Sequence, residues 1–264
     1  MVGVTFECDH PEEARNRRIV STSAMPPGLT PAEIDAFVIE AMANGEDLYH
    51  LDEGALAGLD ADLVVTQDLC AVCAVDVSVV DDALAHLGCT AEVLTIDPHT
   101  LDEVLASIVT LGHASGRVGE AEALVADQRR RLDVVRREAS GRPRPRVMFL
   151  EWTDPPFAPG HWIPEMISIA GGDPVLATPG EKSRRVTWEQ VNHASPELVV
   201  VAPCGFDRGG CQQLAAELVS SGVLPDGVPV HAVDANASWA RPGTRLVDGV
   251  EELAQVLSLV GSSA

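Results

Sequence analysis

Apolar residues along this chain fall into two kinds of stretch: short continuous runs of Val, Ile and Leu, and longer segments where they recur every third or fourth position. The runs DLVVTQD (62–68) and ELVVVAPC (197–204) are short, β-branched and end in polar residues, the pattern of buried parallel strands. The first leads through a helical pattern ending in AHLG (85–88) to the strand AEVLTI (91–96) and a further helix, TLDEVLASI. The second leads through CQQLAAELVSSG to PVHAV (229–233) and a helix near 244–258. Strand, helix, strand, helix thus occurs twice, which predicts an α/β chain made of two doubly wound parallel-sheet lobes.

Residues 116–139 hold no proline and place Val118, Ala121, Leu124, Val125, Leu132 and Val135 on one helical stripe. This predicts a single long helix, roughly 35 Å at 1.5 Å per residue. The prolines of SGRPRPR stop it, and VMFLEW begins the second lobe. The expected segments are an N-terminal lobe over 1–115, a connecting helix over 116–140 and a C-terminal lobe over 141–264, with a ligand cleft between the lobes.

In open α/β sheets ligands sit at the carboxyl ends of the strands. Those ends carry Glu7, Cys8, Asp9 and His10 after VGVTF, and Gln67 and Asp68 after DLVVT, followed by Cys70 and Cys73. In the second lobe they carry Glu151, Trp152 and Asp154 after VMFL, Cys204 after ELVVVAP, and Trp239 after HAVDA. Ordinary surface loops favour Gly, Ser, Asn and Pro, so this collection of Cys, Trp, His and acids marks a candidate ligand site. The stretch EWTDPPFAPGHW (151–162) concentrates it, with His161 and Trp162 at its end.

Composition narrows the partners. With 264 residues, 46% of them apolar, the chain is long enough for one large domain or two lobes with their own cores. A formal charge of −22, with a single lysine, Lys182, among 18 cationic residues, repels nucleic acid and anionic membrane over most of the surface. No run of 18 uncharged apolar residues occurs, so no membrane insertion is expected. The opening MVGVTFECDHP has no basic segment followed by an apolar run. The expected location is cytoplasmic for the chain as written, and extracytoplasmic if the true start lies upstream of Met1. Six cysteines without a secretory signal read as reduced thiols.

Each candidate has a competing explanation. Trp152 and Trp162 are flat apolar surfaces suited to a macrocycle, or core residues packed between elements. His161, just before a helix whose first turn suits Pro164, would reach a metal or an amide, or makes a helix-start hydrogen bond. Cys70 and Cys73 begin a helix, where the dipole favours thiolates. They read as a redox dithiol, as half of a zinc site completed by Cys8 and His10, or as small buried packing residues. The zinc reading expects strands 2–6 and 62–66 to be neighbours or near neighbours in one parallel sheet, so that the four side chains converge. No GxSxG, HExxH or GxxxxGK occurs, so no enzyme is predicted. Glu151, Asp154 and Glu165 are the acids a general acid/base mechanism would draw on.

The phrases VGVTFECDHP, LVVTQDLCAVCAV, EWTDPPFAPGHWIPEMISIAGG, VTWEQV and ARPGTRLVDGVEELA, in this order, resemble the vitamin B12 (cobalamin)-binding branch of the ABC-importer substrate-binding proteins. That branch lies in the helix-linked group that also handles ferric siderophores and haem. The resemblance covers nearly the whole chain. It implies a monomeric two-lobe protein with little hinge motion that needs no cofactor, holds cobalamin or a related corrinoid between its lobes and delivers it to an ABC permease. It also implies a docking carboxylate on each lobe, with Glu189 of VTWEQV as the candidate on the second. Family members usually open with a signal or lipid anchor and a strand and helix of the type RIVSL…ATE, so the first lobe is expected to lack that strand and helix. The alternative function is a cytosolic metal- or thiol-dependent enzyme, or a metal- or haem-binding protein, on the same fold.

Overall fold

The computed structural model describes residues 1–51, 54, 58–67 and 91–260. It divides into two units, Met1–Asp97 and Pro98–Ala264.

The described strands of the first unit form three pairs. β1 (Gly3–Val4) runs parallel to β2 (Arg18–Ile19), β3 (Ser21–Ser23) antiparallel to β4 (Tyr49–Leu51), and β5 (Leu63–Gln67) parallel to β6 (Glu92–Ile96). Between β3 and β4 lies α1 (Pro31–Asn44), started by a capping box in which Thr30 and Glu33 satisfy each other's backbone N–H groups, and ended by Gly45 at φ +70°. The strand expected over 2–6 is shorter than predicted, and its described partner is β2 rather than β5. The chain folds back at once, so that the Val20 N–H donates to the Val4 carbonyl at 2.9 Å.

In the second unit, α2 (Leu101–Ala114) and α3 (Val118–Ala139) precede β7 (Arg146–Leu150). A hairpin of β8 (Trp152–Thr153) and β9 (Pro156–Ala158) leads to α4 (Ile163–Ala170), β10 (Asp173–Pro174), β11 (Arg184–Arg185) and α5 (Trp188–His193). β12 (Leu198–Val201), α6 (Arg208–Ser221), β13 (Val230–Ala232), α7 (Ala235–Ser238) and α8 (Arg245–Val260) complete it. The central sheet is parallel throughout, in the order β10-β7-β12-β13.

Val147–Leu150 and all of β12 are buried, as expected of strands covered on both faces. Met148, Leu150, Val199 and Val201 meet Leu214 and Leu218 of α6 on one side. On the other, Phe149 packs on Trp239 with ring centres 4.8 Å apart. There the sheet and α4 come so close that a Cβ at Gly172 would sit 2.8 Å from Val147 and 2.9 Å from Ile167. Helices on both faces make this unit doubly wound.

The long helix forms as expected, 22 residues and about 33 Å. Ala121, Val125, Leu132 and Val135 are buried along it, whereas Leu124 is 42% exposed and Gln128 takes a buried place. The helix is tied to α8 by Arg131, which donates to Asp248 at 2.6 Å and to Glu251 at 2.6 and 2.8 Å. The expected boundaries at 115/116 and 140/141 fall in the turns flanking α3, while the compact units divide earlier, at Asp97/Pro98, because α2 and α3 pack within the second unit. No described helix is long and apolar enough to cross a membrane.

Candidate functional site

The order β10-β7-β12-β13 creates a switch point: the connection after β7 goes to one side and the connection to β12 goes to the other. Such sheets place ligands at the carboxyl ends of the strands that flank the switch point, here β7 and β12. Glu151 and Trp152 leave β7 there, and Pro203 and Cys204 leave β12. The two ends are joined, with the Ala202 N–H donating to the Leu150 carbonyl at 3.0 Å and the Cys204 N–H to the Glu151 carbonyl at 3.3 Å. Cys204 is exposed.

The loop after β7 is held by the β8/β9 pairing and by Glu151. Glu151 Oε1 accepts the Gly160 N–H at 2.7 Å, so this carboxylate braces both ends of the EWTDPPFAPG segment. Trp152 is half-buried; its indole N–H donates to the Asp154 carbonyl at 3.1 Å and its ring meets the Phe206 edge at 5.9 Å. The Asp154 side chain is exposed.

The GHW turn has a steric explanation. A Cβ at Gly160 would collide with the backbone of Lys182 and Ser183, so only glycine fits. His161 follows at φ +50°, its N–H donating to the Glu181 carbonyl at 2.6 Å and its carbonyl accepting the Gly180 N–H at 3.0 Å. Its half-buried ring lies 5.7 Å from those of His99 and Trp162.

Trp162 and Trp239 occupy the core instead of an open face. They are 4% and 1% exposed, and the Trp162 indole N–H donates to the Trp239 carbonyl at 2.8 Å. Trp162 immediately precedes an apolar helix and faces the same interior, which is why it is covered. Glu165, weighed as an acid/base residue, accepts the Leu101 N–H at 2.7 Å and so caps the start of α2. Glu189 is exposed in the first turn of α5, behind a Thr187–Gln190 capping box.

In the first unit, Glu7, Asp9 and His10 are exposed and Cys8 is half-buried, its Sγ 3.2 Å from Thr5 Oγ1. The Tyr49 hydroxyl donates to Glu7 at 3.4 Å, and Gln67 is half-buried at the end of β5. Asp68, Cys70 and Cys73 lie outside the described residues, so the structure gives no view of the proposed thiol pair. Among the described residues no three His, Cys, Asp or Glu side chains cluster within metal-binding range.

Among the described residues one thiol and one carboxyl are strongly shifted. Burial pushes the Cys211 thiol up to about 11, which keeps it neutral in the core. His231 and then Arg208 hold the Glu252 carboxyl down at about 2. Both shifts have structural causes. Phe157 and Phe206 are the neighbours of Trp152 that sequence reasoning missed, and Arg185 stands over Phe157; strand register, which periodicity does not reveal, places Phe157 and Arg185.

A family model described as periplasmic binding protein matches residues 55–221. The vitamin B12-binding protein of Vibrio cholerae serotype O1 is 30% identical over 165 residues, covering 61% of this chain and 57% of that protein. The chain thus spans little more than half the length of this curated relative. Two solved structures share the fold. The periplasmic vitamin B12-binding protein of Vibrio cholerae has a TM-score of 0.61 at 21% identity, over 98% of this chain and 88% of that one. A periplasmic haem-binding protein of Pseudomonas aeruginosa has a TM-score of 0.67 at 18% identity, over 100% of this chain and 85% of that one.

Proposed function

The chain belongs to the periplasmic binding protein family, and from that premise we propose that it is a substrate-binding protein for cobalamin or a related corrinoid, serving an ABC-type importer. One observation carries the reading: a half-buried tryptophan, Trp152, stands at the β7/β12 switch point with its indole pinned by the Asp154 carbonyl and the Phe206 edge. A fixed flat apolar surface at a sheet's ligand crevice suits a large macrocycle, since the ring needs no ordering when the ligand arrives. The curated relative named for B12 points to the same ligand class. Glu151 and Glu165, the carboxylates a general acid/base mechanism would use, are engaged with the backbone N–H groups of Gly160 and Leu101. That supports binding over catalysis. Exposed Glu189 is the carboxylate we assign to permease docking.

Titrating the purified chain with cyanocobalamin, followed by calorimetry and visible absorbance, tests the proposal. The expected result is saturable binding of one corrinoid per chain; no heat and no spectral change would overturn it. One observation favours haem as a second reading: His161 lies beside His99 with ring centres 5.7 Å apart, and imidazole is a suitable iron ligand. A shift of the haem absorbance band on mixing, lost in His161→Ala, would identify it.

A further inference from the structure

Helices α2, α3 and α4 of the second unit leave a cavity of about 400 Å³ between them, with Pro179 at its side. Leu101 and Leu105 of α2, Leu132 of α3 and Ile169 of α4 form its apolar wall, all of them buried. None of the residues at the carboxyl ends of β7 and β12 lines it. Two polar side chains line it from α4, where Glu165 and Ser168, both half-buried, lie three residues apart and so on one side of the helix. Glu165 uses one oxygen in the fold: Oε2 accepts the Leu101 N–H at 2.7 Å, and among the described residues no donor reaches Oε1. Ser168 gives its carbonyl to Arg144 at 3.3 Å, while its hydroxyl has no hydrogen-bond partner among the described residues. Three carboxylates and two guanidiniums line the cavity. Arg136 pairs with Asp133 at 2.9 Å and Arg129 with Asp102 at 3.6 Å, and these four are exposed. Glu165 is left as the lining carboxylate with no cationic partner among the described residues.

We propose that this cavity is a second binding site, for a small organic ammonium with an apolar body. The ammonium donates to Glu165 Oε1 and Ser168 Oγ, and the body lies against the three leucines and Ile169. An ammonium carries three donors and no acceptor, which suits a carboxylate oxygen and a hydroxyl presented side by side. A carboxylate ligand would meet Glu165 as a like charge. A hydrogen bond to an ionised partner is shorter and stronger than one between neutral groups, so one free carboxylate oxygen is enough to choose the sign of the ligand. The volume lies within the roughly 300–1,000 Å³ of small-molecule sites. The formal charge of −22 acts in the same direction, since it draws cations to the surface and repels anions. The site is separate from the corrinoid site and does not depend on it.

Calorimetric titration with phenethylamine and with 3-phenylpropionate tests the proposal, because the two share a phenyl ring and a short arm and differ in the charge of the head group. The expected result is one phenethylamine per chain with a Kd of about 1 mM or tighter, and binding of 3-phenylpropionate weaker by about tenfold or more. Glu165→Gln keeps an oxygen for the Leu101 N–H and removes the charge, and is expected to weaken phenethylamine by about tenfold or more. Ser168→Leu fills the cavity and is expected to abolish binding at an unchanged unfolding midpoint. It leaves Glu165 in place, so it decides alone if Glu165→Gln does not fold. No binding of phenethylamine, equal binding of the carboxylate, full binding in either folded variant, or displacement of the amine by cyanocobalamin overturns the proposal. Cyanocobalamin titrations unchanged by the amine and by both variants support a separate site, and a wild type that binds phenethylamine but no corrinoid overturns the corrinoid reading alone.

Discussion

The indole N–H of Trp162 donates to the carbonyl of Trp239 at 2.8 Å, joining two of the four tryptophans inside the second unit. Trp162→Phe removes the donor and leaves a buried carbonyl without it. The expected cost is about 1–3 kcal/mol of stability, read from urea unfolding, with corrinoid affinity unchanged. A loss of affinity at unchanged stability would mean that this residue touches ligand.

Trp152→Ala has the opposite signature. Its half-buried ring contributes little to the core, so the unfolding midpoint should move little. Affinity for the macrocycle should fall by about 1–3 kcal/mol if the ring stacks on it, measured by calorimetry against the wild type.

Gly160→Ala tests the close approach of the GHW turn to residues 182–183. A methyl group there meets backbone, which cannot swing aside as a side chain can. The expected loss is about 2–4 kcal/mol, together with altered tryptophan fluorescence as Trp162 shifts. Stability within 0.5 kcal/mol of the wild type would show that the turn relaxes freely.

Glu252 makes stability depend on acid. His231, 3.6 Å away, and Arg208, at 2.8 and 3.0 Å, lower its carboxyl to about 2 from an ordinary 4.5. A carboxyl lowered on folding contributes fully above its unfolded value and loses that contribution as pH falls through its folded value. Stability should therefore decline between about pH 4.5 and pH 2 from this group, by about 1–3 kcal/mol. Glu252→Gln should flatten that part of a urea-midpoint profile, and an unchanged profile would remove Glu252 as its source.

Local pattern determined much of the second unit before any tertiary information. ELVVVAPC has no polar residue until its end, and β12 is buried throughout. The stripe over 116–139 became α3, since helical period and proline stops are properties of neighbouring residues alone. EWTDPPFAPGHW was legible as unusual chemistry at a strand's end, and Trp152 and His161 remain partly accessible there. Tertiary structure decided which of its aromatics stay accessible. Trp152 and Trp162 look equivalent as letters, yet one lies on a hairpin beside Phe206 and the other inside the sheet's helical cover. Glu165 reads as a cleft acid until Leu101, 64 residues earlier, brings it a helix N-terminus. Arg185, Phe157 and Trp152 become neighbours only through the register of three strands. Periodicity reports which way a residue points from its own axis, whereas partner and register depend on contacts that close across long stretches of chain.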